Sequence, residues 1–218
     1  MPAVVLLSGG LDSAVNLIKA LDETGVALAL TFDYGQKAAA REIAAAEAMC
    51  RTWGVPHRVI ELPWLAEICS TALVNPDLEA PRLTPEQLGE ARVARGETAR
   101  AVWVPNRNGV FIAIAAAFAE SLGAETVVTG FNAEEAATFP DNSAAFASAA
   151  NAALHFSTAT GVRVMSYTQE LTKSQIVRLG REIGAPLAMV WSCYYGGTEP
   201  CGHCESCARF ARATQTAD

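Results

Sequence analysis

Four cysteines crowd the end of this chain. Cys193, Cys201, Cys204 and Cys207 follow the spacing C-x7-C-x2-C-x2-C. Four thiolates so placed can close a tetrahedron around one soft ion. Spacing alone leaves zinc and an iron–sulfur cluster both open. Gly196, Gly197 and Gly202 permit the turns between the ligands. A closed shell of four protein ligands has no position for a substrate, so the cluster predicts a structural centre. His203 lies inside the knuckle and is expected at the surface. Cys50 and Cys69 fall at helical positions and are expected as small apolar core residues.

A second constellation opens the chain. Leu7-Ser8-Gly9-Gly10-Leu11-Asp12-Ser13 follows an apolar run and precedes a helical pattern. Backbone N–H groups at a helix N-terminus attract anions, and glycines allow a phosphate to come close. Ser8 and Ser13 add hydroxyl donors. The spacing is neither G-x-x-x-x-G-K-[ST] nor G-x-G-x-x-G. A tight turn with Asp12 as a helix cap is the plainer alternative.

Further residues could complete a nucleotide site. Asp33 and Tyr34 end an apolar segment. Gln36 either contacts a nucleotide or caps the next helix. Arg107, between Asn106 and Asn108, has the setting of a phosphate or carboxylate clamp. Lys173 stands in the first turn of a helix, where a cation opposes the helix dipole. A phosphate nearby would reverse that sign, although a solvated lysine fits the sequence as well. Glu134, Glu135 and Asp141 form an acidic stretch that could hold Mg²⁺ or meet a purine-like N–H edge. Phe139 could stack on a planar base, or anchor its loop in the core.

The elements that must position these residues alternate. Strands are expected at 2–7, 26–32, 58–62, 126–129 and 163–167. Helices are expected at 11–21, 38–53, 108–122, 143–157 and 172–183. Thr172-Lys173-Ser174-Gln175 fits a capping box. Residues 131–142 read as a loop. Residues 63–100, broken by Pro63, Pro76, Pro81 and Pro85, read as a lid-like excursion with short helices at 64–73 and 85–95. The 108–122 helix is apolar nearly all round and is expected to be buried, with one face against a second subunit. This alternation predicts an α/β fold: an open, mostly parallel five-stranded sheet of order 3-2-1-4-5, helices on both faces, and ligands at the carboxyl ends of the strands. The main domain is expected over 1–191 and the cysteine knuckle over 192–218.

Composition bounds the function. The chain has 218 residues, 51% hydrophobic and 18% charged, which excludes global disorder. Lys+Arg of 16 against Asp+Glu of 23 gives a net charge of −7, which argues against a general nucleic-acid binder. No secretory signal and no membrane-length apolar run is found, so a cytoplasmic protein is expected.

Ser8-Gly9-Gly10-Leu11-Asp12-Ser13 resembles the SGGxDS loop of the PP-loop ATP pyrophosphatases, which cleave ATP between the α- and β-phosphates and adenylate a substrate oxygen. Thr31–Gln36 (TFDYGQ), Val104–Asn108 (VPNRN), Phe139–Asp141 (FPD) and Trp191–Tyr194 (WSCY) with the cysteine cluster resemble, in order, segments of one branch, the 7-cyano-7-deazaguanine synthase (QueC) family. The resemblance spans essentially the whole chain. It implies an ATP-dependent carbon–nitrogen ligase that converts 7-carboxy-7-deazaguanine and ammonia to the nitrile. ATP and Mg²⁺ would serve the reaction, Zn²⁺ would sit at the four cysteines, and the protein would be a homodimer. Ser8, Asp12, Ser13, Arg107 and Lys173 are the expected catalytic set. Leu7 to Ser13, with Asp33, Tyr34 and Gln36, are expected to hold the nucleotide. Asn106, Arg107, Glu134, Glu135, Phe139 and Asp141 are expected to hold the acceptor. One loop departs from the family's D-x-S-G-Y-P-D-C-R pattern, reading Glu135-Ala136-Ala137-Thr138-Phe139-Pro140-Asp141-Asn142-Ser143. Nucleotide chemistry is expected to persist. The acceptor stays open: a ligase that stops at the amide or takes another carboxylate, or a non-catalytic nucleotide binder, remain alternatives.

Overall fold

Val4 and Val5 are adjacent and both fully buried, yet they belong to two different cores. Successive strand side chains point to opposite faces, so a strand buried on both sides must be apolar at every position. That strand, β1 (Ala3–Leu6), is central. It is flanked by β2 (Val26–Asp33) and β4 (Thr126–Val128), with β3 (His57–Glu61) and β5 (Arg163–Met165) at the edges. Every pairing is parallel and the order is β3-β2-β1-β4-β5, as the sequence predicts. The description rests on a computed structural model and covers residues 1–83 and 95–217.

Helices cover both faces. On one lie α1 (Leu11–Glu23) and α2 (Ala39–Trp53), whose Ala14, Leu17, Ala46 and Met49 pack on Val5, Ala29 and Val128. Cys50 belongs to this core, as expected, and Cys69 packs half-buried on the other. On the other face lie α5 (Arg107–Ser121) and α7 (Ala144–Ser157), whose Ile112, Ala115, Ala119 and Leu154 meet Val4, Leu30, Val127 and Val164. Shorter helices α3 (Pro63–Glu67) and α4 (Arg95–Ala101) lie in the excursion. A third core joins α1 to α8 (Lys173–Glu182) and α9 (Glu205–Gln215) through Val15, Ile176, Val177 and Ala213.

Three expectations are corrected. The stretch 131–142 is not a plain loop: it holds α6 (Ala133–Ala136), capped by Asn132, and a 3₁₀ turn over Pro140–Asn142. The helix expected at 64–73 ends at Glu67, and the one expected at 85–95 lies outside the described residues except at its end. The all-apolar helix is buried on one face only. Ala113 and Ala117 of α5 are exposed, because a helix in an outer layer meets the sheet along a single stripe. Among the described residues no helix is long and apolar enough to cross a membrane.

Candidate active site

Strand order reverses beside β1, which is followed by β2 on one side and neighbours β4 on the other. A crevice opens at such a switch point. The 7–13 loop lies in it. Ser13 Oγ donates to the Gly10 carbonyl (3.1 Å), accepts from the Ser8 N–H (3.2 Å) and lies 3.1 Å from Ser8 Oγ. Gly10 is the N-cap of α1 and no side chain caps its amides. Asp12 is therefore not the cap, and the first N–H groups of α1 are left without a side-chain acceptor, an arrangement that suits an anion. Gly9 is required: its φ is +76°, and a Cβ would lie 2.6 Å from the Glu42 carbonyl oxygen. The Gly9 carbonyl accepts from the Trp191 N–H at 2.8 Å, which ties the loop to the cysteine segment.

Asp12 carries its charge to Lys173. Lys173 Nζ lies 2.5 Å from Asp12 Oδ2 and 3.3 Å from Glu135 Oε1, with 13% of its side chain exposed. This is no solvated lysine. Burial alone would lower its pKa, but the two carboxylates outweigh that and raise it. Burial raises Asp12 in spite of Lys173. Glu135 is held below the ordinary range, because Lys173 and Arg209 overcome its burial. Asp12 Oδ1 is buried without a hydrogen-bond partner among the described residues. It is a free acceptor at the centre of the crevice.

Arg107 is the first residue of α5, behind Asn106 at φ +51°, a left-handed conformation that Asn tolerates better than most residues. Its Nη1 donates to the Tyr34 hydroxyl at 2.8 Å. Gln36 does not cap α2, whose N-cap is Ala38. Its amide instead accepts from the Tyr34 N–H and donates to the Phe32 carbonyl and to Glu42 Oε2. Asp33 closes the same turn by accepting from the Gly35 N–H.

Three adjoining cavities share Asp12. The largest, about 280 Å³, is lined by Leu7, Ser8, Ser13, Tyr34, Gln36 and Arg107. A second of about 150 Å³ lies towards the cysteine segment, against Gly10, Leu11, Glu135, Lys173, Trp191 and Arg209. The third, about 220 Å³, is lined by Trp103, Arg107, Glu135, Phe139 and Asp141. The rings of Trp103 and Phe139 lie within 13° of parallel with centroids 6.3 Å apart. Asn106, Glu134, Asp33 and Gly9 line none of the three. Asn106 is exposed, and Glu134 turns away to the Lys173 backbone and Arg212. Sequence reasoning misses Trp103, Glu42 and Arg209. For Trp103 the available signal is an aromatic four residues before Arg107. For Glu42, whose carboxyl burial raises, no local pattern marks it.

The four cysteine sulfurs lie within 4.8 Å of one another. The N–H groups of Tyr195 and Cys201 point at Cys193 Sγ, and that of Cys204 at Cys201 Sγ. Converging thiols whose sulfurs accept backbone N–H groups fit a tetrahedral soft ion. His203 is exposed, as expected.

A family model described as "Queuosine biosynthesis protein QueC" matches residues 2–218. A 7-cyano-7-deazaguanine synthase from Desulforamulus reducens is 57% identical over 98% of this chain and 93% of its own length. One from Pelotomaculum thermopropionicum is 58% identical over 100% and 98%. One from Methanosarcina barkeri is 51% identical over 100% and 95%. An NMN synthetase structure from Francisella tularensis shares the fold, with a TM-score of 0.50 at 16% identity, covering 92% of this chain and 70% of that one. With its five-stranded parallel sheet and its cysteine cluster inside the matched span, the chain belongs to the QueC family of queuosine biosynthesis proteins.

Proposed function

We propose that this chain is an ATP-dependent carbon–nitrogen ligase that converts 7-carboxy-7-deazaguanine and ammonia to 7-cyano-7-deazaguanine. The observation that carries the reading is the junction at Asp12. A cavity bounded by uncapped helix amides and serine hydroxyls there meets a cavity bounded by Trp103, Phe139 and Asp141. The first suits phosphates and the second a planar heterocycle with polar edges. The names of the relatives above support the choice of acceptor.

The acceptor's carboxylate oxygen attacks the α-phosphorus of ATP, and pyrophosphate leaves with the electron pair. The α1 amides, Ser8, Ser13 and Lys173 stabilise that leaving charge. Ammonia then adds to the acyl adenylate, AMP departs and a proton is lost, giving the amide. The amide oxygen then attacks the α-phosphorus of a second ATP, and a second pyrophosphate leaves. Loss of AMP and a proton leaves the nitrile. No protein nucleophile is needed, so the chain contributes positioning and charge. Arg107, held by Tyr34 between two cavities, faces the reacting carboxylate or phosphate. Mg²⁺ bound with ATP would neutralise phosphate charge, and the unpartnered Asp12 Oδ1 is the donor that fits it. Zinc at Cys193, Cys201, Cys204 and Cys207 would serve structure. The apolar outward face of α5 supports a homodimer.

Mass spectrometry of a reaction with ATP, Mg²⁺, ammonia and 7-carboxy-7-deazaguanine tests the proposal. Nitrile, AMP and pyrophosphate are expected. The amide alone would mean that the second adenylation is lost, the outcome the altered Glu135–Ser143 loop makes worth seeking. No deazaguanine product would reject the acceptor.

A further inference from the structure

Lys173 is fixed at both ends by one dipeptide. Glu135 takes its ammonium group, at 3.3 Å, and Glu134 Oε1 accepts its backbone N–H, at 2.9 Å. Lys173 is the first residue of α8, where the N–H has no acceptor within the helix. Thr172 caps the N–H of Gln175 instead, so Glu134 is the partner that the Lys173 amide finds. The second Glu134 oxygen accepts from Arg212 Nη2 at 2.7 Å, with Arg209 Nη1 at 4.0 Å.

Arg209 and Arg212 stand three residues apart on α9, hence on one side of that helix. Arg209 is itself held by Glu205, its Nε 3.0 Å from Oε1. The helix grows out of the cysteine knuckle: Cys204 is its N-cap and Cys207 lies in its first turn. Below the arginines, Ala213 packs into the core with Ile176 and Val177 of α8. A continuous path therefore runs from the cysteines along α9 to Arg212, through the Glu134 carboxylate, to the residue whose ammonium reaches the phosphate loop.

We propose that Arg212 and Glu134 are positioning residues for ATP, which set Lys173 in the phosphate site from the cysteine-bearing helix. This rests on the phosphate role given above to Lys173. Neither residue lines any of the three cavities described above, so the proposed role does not require either to touch the nucleotide.

A double-mutant cycle read by calorimetric ATP binding, with metal content and circular dichroism measured on each protein, tests it. R212A is expected to weaken ATP binding about five- to tenfold and K173M at least as much. The double variant should bind no more weakly than K173M alone, and R212K, which keeps the cation, should recover most of the loss. Wild-type affinity in R212A, or losses that add in full, would overturn the proposal. K173M with wild-type affinity would remove the phosphate role and this proposal with it. K173M weakened beside an unaffected R212A would overturn this proposal alone. Should R212A lose its metal or its helicity, E134Q keeps an oxygen for the Lys173 amide and is read in the same cycle: non-additivity supports the proposal and additivity overturns it.

Discussion

Asn16 and Thr168 are 152 residues apart and share a fully buried hydrogen bond, Asn16 Nδ2 donating to Thr168 Oγ1 at 2.7 Å. The same amide nitrogen donates to the Asp12 carbonyl, and its oxygen accepts from the Tyr167 N–H, both at 2.8 Å. One side chain thus locks α1, the helix that follows the 7–13 loop, to the turn that leads into α8.

Asn16→Ala strands several of these groups without partners. The expected loss is about 2–4 kcal/mol in urea denaturation, together with weaker ATP binding. A variant as stable as the wild type would show that water replaces the clamp.

Trp103→Leu and Phe139→Leu test the acceptor slot. Loss of stacking is expected to raise the acceptor KM about tenfold or more while leaving the ATP KM unchanged. Equal effects on both substrates would place the rings in the scaffold rather than the slot.

Glu42 gives a pH signature. Burial lifts its carboxyl above the ordinary value of 4.5, and the Gln36 amide and Arg107 offset only part of this. A raised folded pKa means that the native state holds the proton more tightly. The group therefore favours folding in acid, and its contribution is lost as pH rises from 4.5 through the folded value. Stability of the wild type relative to Glu42→Gln should fall over that window. Parallel denaturation profiles from pH 4.5 to 7 would contradict the burial of a charge at this position.

Cys204→Ser removes one of the four converging sulfurs while leaving a good capping residue at the N-cap of α9, so it tests the metal centre alone. Metal analysis should show the ion lost, and the thermal midpoint should drop by about 10 °C or more. An ion retained at full occupancy would mean that three cysteines suffice.

What was legible in the sequence was local or periodic. The run Ala3–Leu6 is apolar at every position, which only a strand buried on both faces explains, and the rest of the sheet order follows from alternation. The Ser8–Ser13 loop and the cysteines are legible because their marking residues lie close together in the chain. Glu134 and Glu135 were not separable. They are identical neighbours, and what turns one to the Lys173 amide is an arginine 78 residues further on. Asn16 sits in an apolar helix where nothing marks it as a clamp. The inward stripe of α5 is hidden because its outward alanines are just as apolar. Contacts across long stretches of chain leave no pattern that a short window can read.

The strap from Trp191 to Gly9 has a consequence for biosynthesis. A ribosome makes the 7–13 loop first, but its partners Lys173 and Trp191 last. A nascent chain that already holds β1, β2 and β3 has the loop residues without the contacts that shape them. The loop is thereby left without its Lys173 and Trp191 contacts until the C-terminal segment has emerged, so the shape it has in the folded protein is set last.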